Sequence, residues 1–208
     1  MENLKRILRI RKKKKDAKAH VELGDMYYHG VWVSQDYTAA RELYLKAAEQ
    51  RNADAQVNLG VMYEEGKGVR KDLQQAIGWF RKAAEQGYVN AQNSLGVMYR
   101  SGEGIPKNVQ QAIEWFRKAA KQGNSKAQFS LGYMYYRGEE VREDLQQAAI
   151  WVKKAAEQGE PAAQFNLGVM YTRGKGVRRD LQQAVKWYIK CAFTIILLLL
   201  SLLINLRG

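Results

Sequence analysis

Apolar residues recur along this chain with two interlocked periods. Within short windows they fall three and four apart, as Ala55, Leu59, Met62 and Tyr63 do, which predicts amphipathic helices. Over longer distances the whole pattern returns every 36 residues. Leu59-Gly60, Met62-Tyr63 and Gly66 come back as Leu95-Gly96, Met98-Tyr99 and Gly102, and twice more from Ala127 and Ala163. The register also runs backwards to Ala19. Five copies at a fixed period predict a stack of supersecondary units, each covering its neighbour.

Each copy carries the signals of two helices. Gly66 follows the first apolar stripe as a left-handed terminator, and Gly30, Gly102, Gly138 and Gly174 fill the same slot. Two residues further on the slot is looser (Trp32, Gly68, Gly104, Glu140, Gly176), which reads as preference rather than requirement. Asp72 opens the second helix in capping-box form, with Gln75 three residues later; Asp144, Asp180 and Asn108 repeat it. Ala76, Trp79, Phe80, Ala83 and Ala84 are its expected buried face, and Gly87 closes it. Gly24, Gly60, Gly96, Gly132 and Gly168 sit mid-helix, where glycine costs about 1 kcal/mol against alanine. Close approach of the paired helices, with Ala76 opposite Gly60 and Trp79 and Tyr63 on the flanks, offsets that cost.

The consensus A-Q-x-x-L-G-x-M-Y-x-x-G-x-G-V-x-x-D-x-x-x-A-x-x-W-x-x-K-A-A-x-Q-G resembles the Sel1-like repeat, a relative of the tetratricopeptide repeat, over about residues 17–192. The resemblance implies an all-α fold, a right-handed α-solenoid of five 36-residue helix-turn-helix repeats. It also implies a non-catalytic adaptor or scaffold that binds a protein or peptide along a concave face lined by the first helices. A subset of the family holds a disulfide in each repeat; the single cysteine, Cys191, excludes that subset.

Charge adds a boundary. The chain has 208 residues and a net charge of +13, of which residues 1–18, with nine basic and two acidic side chains, contribute seven. Lys12 to Lys15 suit an electrostatic handle for nucleic acid or anionic lipid. The favoured reading is a capping helix over residues 1–18, because Leu4, Ile7 and Leu8 align with Ala40, Leu43 and Tyr44. The repeats then occupy residues 19–192, and no nucleic-acid partner is expected. No apolar segment follows the basic start, so it is not a secretory signal and a cytoplasmic location is expected.

Candidate chemistry is sparse. His20 and His29 lack metal-ligand spacing, and His20, in the slot of Gln56, reads as a surface residue. Cys191 takes the slot of Ala83 and reads as an inert core thiol. The Gly66-Lys67-Gly68 loop is no phosphate cradle, since Asp72 caps the following helix. A hydrolase built on Glu64 and Glu65 is the rival class, but adjacent helical residues point to different faces. No enzyme activity, cofactor or metal is expected.

Binding chemistry is expected where the copies disagree. On the first helices the variable slots hold Asn93, Val97, Arg100 and Ser101 in the third copy. They hold Phe129, Tyr133, Tyr136 and Arg137 in the fourth, and Phe165, Val169, Thr172 and Arg173 in the fifth. Aromatic and arginine side chains dominate protein-interface energies. Asn93, Arg100, Phe129, Tyr133, Tyr136, Arg137, Thr172 and Arg173 are therefore the candidate partner-binding set. Packing between neighbouring repeats is the competing use of the same aromatics.

After Ala192 the consensus breaks. Residues 193–208 begin Phe193-Thr194-Ile195-Ile196 and run on through leucines, with no charge from Cys191 to Leu206. Sixteen uncharged residues fall a little short of a bilayer span, and counting from Trp187 with Lys190 snorkelling makes up the length. Three readings stand: a C-terminal membrane anchor through residues 193–206, a mistaken reading frame or truncated array, and an apolar helix that covers the last repeat or pairs with another chain.

Overall fold

The computed structural model describes residues 16–138 and 142–205. The expected capping helix with its lysine run lies outside the described residues, as do Glu140 and Arg207. The chain divides into two compact units, Met1–Asn108 and Val109–Gly208. The first unit holds α1 (Ala17–His29), α2 (Tyr37–Glu49), α3 (Ala53–Glu65), α4 (Leu73–Glu85) and α5 (Val89–Ser101). The second holds α6 (Val109–Lys121), α7 (Ser125–Arg137), α8 (Leu145–Glu157), α9 (Pro161–Arg173) and α10 (Leu181–Asn205). No strand occurs among the described residues. Within each unit every helix packs on its sequence neighbours, so hairpin and stack form from local contacts.

Local chemistry starts and stops these helices. Asp36, Asp72, Asp144 and Asp180 each accept the backbone N–H three residues on, at 2.9 to 3.0 Å. The other half of the expected capping box is unnecessary. The N–H of Asp72 donates instead to the Tyr63 carbonyl at 2.9 Å, and Asp36, Asp144 and Asp180 do the same to Tyr27, Tyr135 and Tyr171. The backbone of the first helix therefore caps the second. At the other end Gly30, Gly66, Gly102, Gly138 and Gly174 all adopt φ between 64° and 78°, as their invariance within the chain predicts.

The second loop slot corrects the sequence reading. Gly68, Gly104 and Gly176 are also left-handed, and so is Trp32, at φ 65°. A Cβ on Gly68 would stand 2.8 Å from the Tyr37 carbonyl carbon, one on Gly104 2.5 Å from the Leu73 Cβ, and one on Gly176 would run into the Leu145 carbonyl oxygen. The slot is thus a requirement. It is where each loop closes over the first turn of the preceding hairpin's second helix. Trp32 is left-handed without being glycine, at a cost of about 1–2 kcal/mol.

Three of the mid-helix glycines accommodate a ring, whereas Gly132 faces Val152 and the Ala148 carbonyl. A Cβ at Gly60 would lie 2.6 Å from Phe80, at Gly24 2.5 Å from Tyr44, and at Gly168 2.5 Å from Tyr188. Phe80 is fully buried there, worth roughly 1.5–3 kcal/mol, which outweighs the glycine penalty. Trp79, expected in the buried face, is only half-buried, and Ile77 takes the inner position. Trp79 is instead covered by Lys82, whose Nζ sits 4.0 Å from the ring; Lys118, Lys154 and Lys190 cover Trp115, Trp151 and Trp187 in the same way.

A polar slot proves to be core. Gln56, Gln92, Gln128 and Gln164 are all buried and donate to the carbonyls of Ala48, Ala84, Ala120 and Ala156 in the preceding hairpins. Gln86 and Gln158 then donate to the side chains of Gln56 and Gln128, at 2.8 and 2.7 Å. His20, in the same slot, is half-buried rather than a surface residue, and its Nδ1 is buried without a hydrogen bond. Cys191 is buried, with its thiol 3.4 Å from the Pro161 carbonyl oxygen.

The break at residue 193 is continuous in structure. α10 runs 25 residues, against 13 for every other helix among the described residues. Thr194 stands in the slot of Gln86 and Gln158, and its hydroxyl bonds the Gln164 side chain at 3.0 Å, so the core polar link survives the change of sequence. Phe193 and Ile195 to Leu200 are between 43% and 62% exposed, on every side of the helix. Leu181 and Val185, in the slots of Leu73 and Ile77, are each 55% exposed because no further loop closes over them, whereas Ile77 is 4% exposed.

Candidate binding face of the first helices

In the first unit the variable slots of α1 and α3 are tied together. Tyr44 lies across Gly24, and its hydroxyl emerges beside Asp25, donating to Oδ1 at 2.7 Å. The Asn58 amide donates to the same oxygen at 3.1 Å. Burial first, and then the Asp25 carboxylate, push the Tyr44 phenol well above its ordinary range, so it stays a donor. Beside it, Tyr28 donates to Glu65 at 3.1 Å, while Lys67 donates to the Tyr28 oxygen at 3.2 Å and pairs with Glu65 at 2.8 Å. Lys67 holds the Glu65 carboxyl below its usual value; burial, followed by the nearby Glu103 and Glu65 charges, raises Glu64. Glu65 is thus already engaged by Lys67 and Tyr28.

The candidate residues take varied places. On α5, Asn93 is half-buried with its Oδ1 enclosed and without a hydrogen bond, and Arg100 is exposed in the last turn. On α7, Phe129, Tyr133 and Arg137 follow one another at four-residue spacing along one stripe. The two rings lie 6.0 Å apart at 43°, and the Arg137 guanidinium carbon is 6.0 Å from the Tyr133 ring centre. Tyr136 points differently. It packs against the core formed by α8 and α9, with Lys175 5.6 Å from its ring. On α9 the Thr172 hydroxyl donates to the Gly168 carbonyl at 2.9 Å and lies 3.2 Å from that of Tyr188, and Arg173 is exposed. Phe165, 53% exposed, meets the Tyr188 ring at 5.6 Å.

The structure therefore brings Phe129, Tyr133 and Arg137 together, and packs both Phe129 and Tyr136 against the α8–α9 core. The Asp25–Tyr44–Asn58 cluster has no place in the sequence reading. Its one signal is that Tyr44 and Tyr188 stand where other copies have Phe80, Phe116 and Val152.

Paired 13-residue helices, left-handed glycine stops and loops closing on the preceding hairpin define a helical-repeat protein of the α-solenoid class. The Sel1 repeat model matches residues 17–52, 53–88, 89–124, 125–160 and 161–192, and the chain belongs to the Sel1 repeat family. Among solved structures it is similar to a protective antigen of uropathogenic Escherichia coli strains. That match has 39% identity and a TM-score of 0.87 over 90% of this chain, which spans 41% of that protein's length. It is also similar to a Sel1 repeat protein from Oxalobacter formigenes, with 36% identity and a TM-score of 0.82 over 87% of this chain and 72% of the other. An immunity protein from Pseudomonas aeruginosa, at 24% identity and a TM-score of 0.57 over 89% and 72%, shares the fold. No curated protein matches the chain. Sel1 repeat proteins are generally protein-interaction scaffolds, typically without catalytic activity.

Proposed function

We propose that this chain is a non-catalytic adaptor that holds a protein or peptide segment on the first-helix face of its repeats, anchored at Phe129, Tyr133 and Arg137. The observation that carries the reading is the α7 stripe of two partly exposed rings and an arginine, at slots whose residues vary between copies, with Phe129 seated on the α8–α9 core. Tyr136 holds the helix on the core side, and Thr172 lies beside Tyr188 on α9. Asn93, Arg100 and Arg173 offer polar contacts on the remaining first helices. A photo-crosslinking residue at position 133 is expected to give adducts that disappear when Phe129 and Arg137 become alanine. The same residue at position 118, on a second helix, is expected to give none. Identical adducts from both positions would sink the proposal.

A second reading concerns α10. One helix among the described residues, Leu181–Ser201, is long and apolar enough to cross a membrane. Apolar side chains exposed on every side suit lipid, which surrounds a helix, better than a partner that covers one face. Lys186 and Lys190 at its start favour an anchor with the repeats on the cytoplasmic side. Leu199→Arg is expected to cost roughly 3 kcal/mol of insertion and to move the protein into the soluble fraction. Full-length protein that is monodisperse without detergent would exclude the anchor.

A further inference from the structure

Between α1 and α3 lies a cleft of about 190 Å³ lined by Asp25, Tyr28, His29, Tyr44, Asn58 and Val61. Its polar groups are unevenly used. The Tyr44 hydroxyl and the Asn58 amide both donate to Asp25 Oδ1, and among the described residues no donor reaches Oδ2. Two bonds to one oxygen fix the plane of the carboxylate and leave the other as an oriented acceptor. The walls are aromatic, with Tyr28 and His29 in edge contact at 4.9 Å and the Tyr44 ring behind them. Tyr28 already meets an ammonium group: Lys67 Nζ lies 5.2 Å from its ring centroid.

A fixed carboxylate against electron-rich ring faces suits a small organic cation, through a charge-assisted hydrogen bond and attraction to the ring quadrupole. An anion meets the Asp25 charge, and an apolar group leaves Oδ2 unpaired and desolvated. We propose that this cleft binds an alkylammonium group, with Asp25 Oδ2 as the acceptor and Tyr28 and His29 as the aromatic walls. The adaptor reading enters only in naming a partner's lysine side chain as the source of the ammonium.

The test uses the full chain in a nonionic detergent, titrated with Nα-acetyl-lysine methylamide while backbone amide shifts are followed by NMR. Saturable shifts are expected at Asp25, Tyr28, Asn58 and Val61, and none with the neutral norleucine analogue. Asp25→Asn keeps an oxygen for the Tyr44 hydroxyl and is expected to weaken binding by about tenfold or more, because a charged acceptor is lost. Val61→Trp fills the cleft without touching the carboxylate and is expected to abolish binding, which covers the case that Asp25→Asn unfolds. Equal shifts with the norleucine analogue, no saturable shift with the lysine analogue, or lysine binding retained in both variants would overturn the proposal. Tighter saturation by the lysine analogue than by putrescine assigns a protein side chain as the source, and the reverse assigns a free amine. Position-133 adducts that persist while amine binding fails remove the cleft and leave the adaptor. Amine binding without those adducts does the opposite.

Discussion

The first helices of the opening two hairpins and those of the last two occupy equivalent slots on equivalent backbones, yet they use them differently. Asp25, Tyr28, Asn58 and Glu65 spend most of their polar atoms on Tyr44, Lys67 and one another. Phe129, Tyr133, Phe165 and Arg173 present rings and positive charge, with few ties between them. Repeat identity therefore ends at the exposed face of the first helices. What lies under it is common to both units, and what projects from it is specific to each.

The deepest test of that division strikes the common part. Gly60→Val and Gly168→Val should each cost about 3 kcal/mol in chemical denaturation, since the added atoms displace the Phe80 or Tyr188 ring. Losses of similar size would show one scaffold beneath two surfaces, and a large disparity would break the comparison. Next in size, Tyr133→Ala with Arg137→Ala should remove about 2 kcal/mol of partner binding while leaving helicity intact by circular dichroism. Tyr136→Ala should instead lower stability, because its ring packs on the α8–α9 core.

Smaller effects sharpen the contrast. Tyr44→Phe deletes a hydrogen bond to a carboxylate and should cost about 1.5 kcal/mol, with the ring itself retained as in Phe80. Tyr188→Phe, whose hydroxyl meets only that of Thr172 at 3.2 Å, should cost about 0.5 kcal/mol. The least effect is an alkaline one confined to the first unit. The Tyr88 phenol donates to Asp54, and that bond, with burial, raises it from about 10 to about 12. Its contribution is whole below pH 10, where the phenol is protonated in both states. It is lost as the unfolded chain ionises first between about pH 10 and about pH 12. Tyr88→Phe should flatten that limb of a stability–pH curve.

Features that recur were legible in the sequence, and features made by juxtaposition were not. The two helices per copy, the left-handed glycine stops and the mid-helix glycines stood out because five copies state them. The buried glutamines recur in four of the five copies, but a polar residue reads as surface until its carbonyl partner in the preceding hairpin is known. Trp79 and Phe80 are adjacent apolar positions, and only packing decides that the ring of Phe80 goes under while Lys82 covers Trp79. Trp32 and Glu140 concealed the demand of the second loop slot, since two of the five copies place another residue there. In the site, disagreement between the copies picked out Phe129, Tyr133, Tyr136 and Arg137, but not that Phe129 and Tyr136 pack on the α8–α9 core. Asp25, Tyr44 and Asn58 come from three helices with no shared period, so nothing in the sequence joined them.

Ile195 occupies the slot in which Gly87, Gly123 and Gly159 turn the chain left-handed, and it stays helical. The last hairpin consequently has no swivel at its exit. Whatever grips residues 193–205 also grips the hairpin through a single stiff shaft. One residue added or removed ahead of Phe193 would rotate everything beyond it by about 100° and shift it by about 1.5 Å. The bearing of the last hairpin on whatever holds its tail is therefore set by residue count, in steps, as in a ratchet.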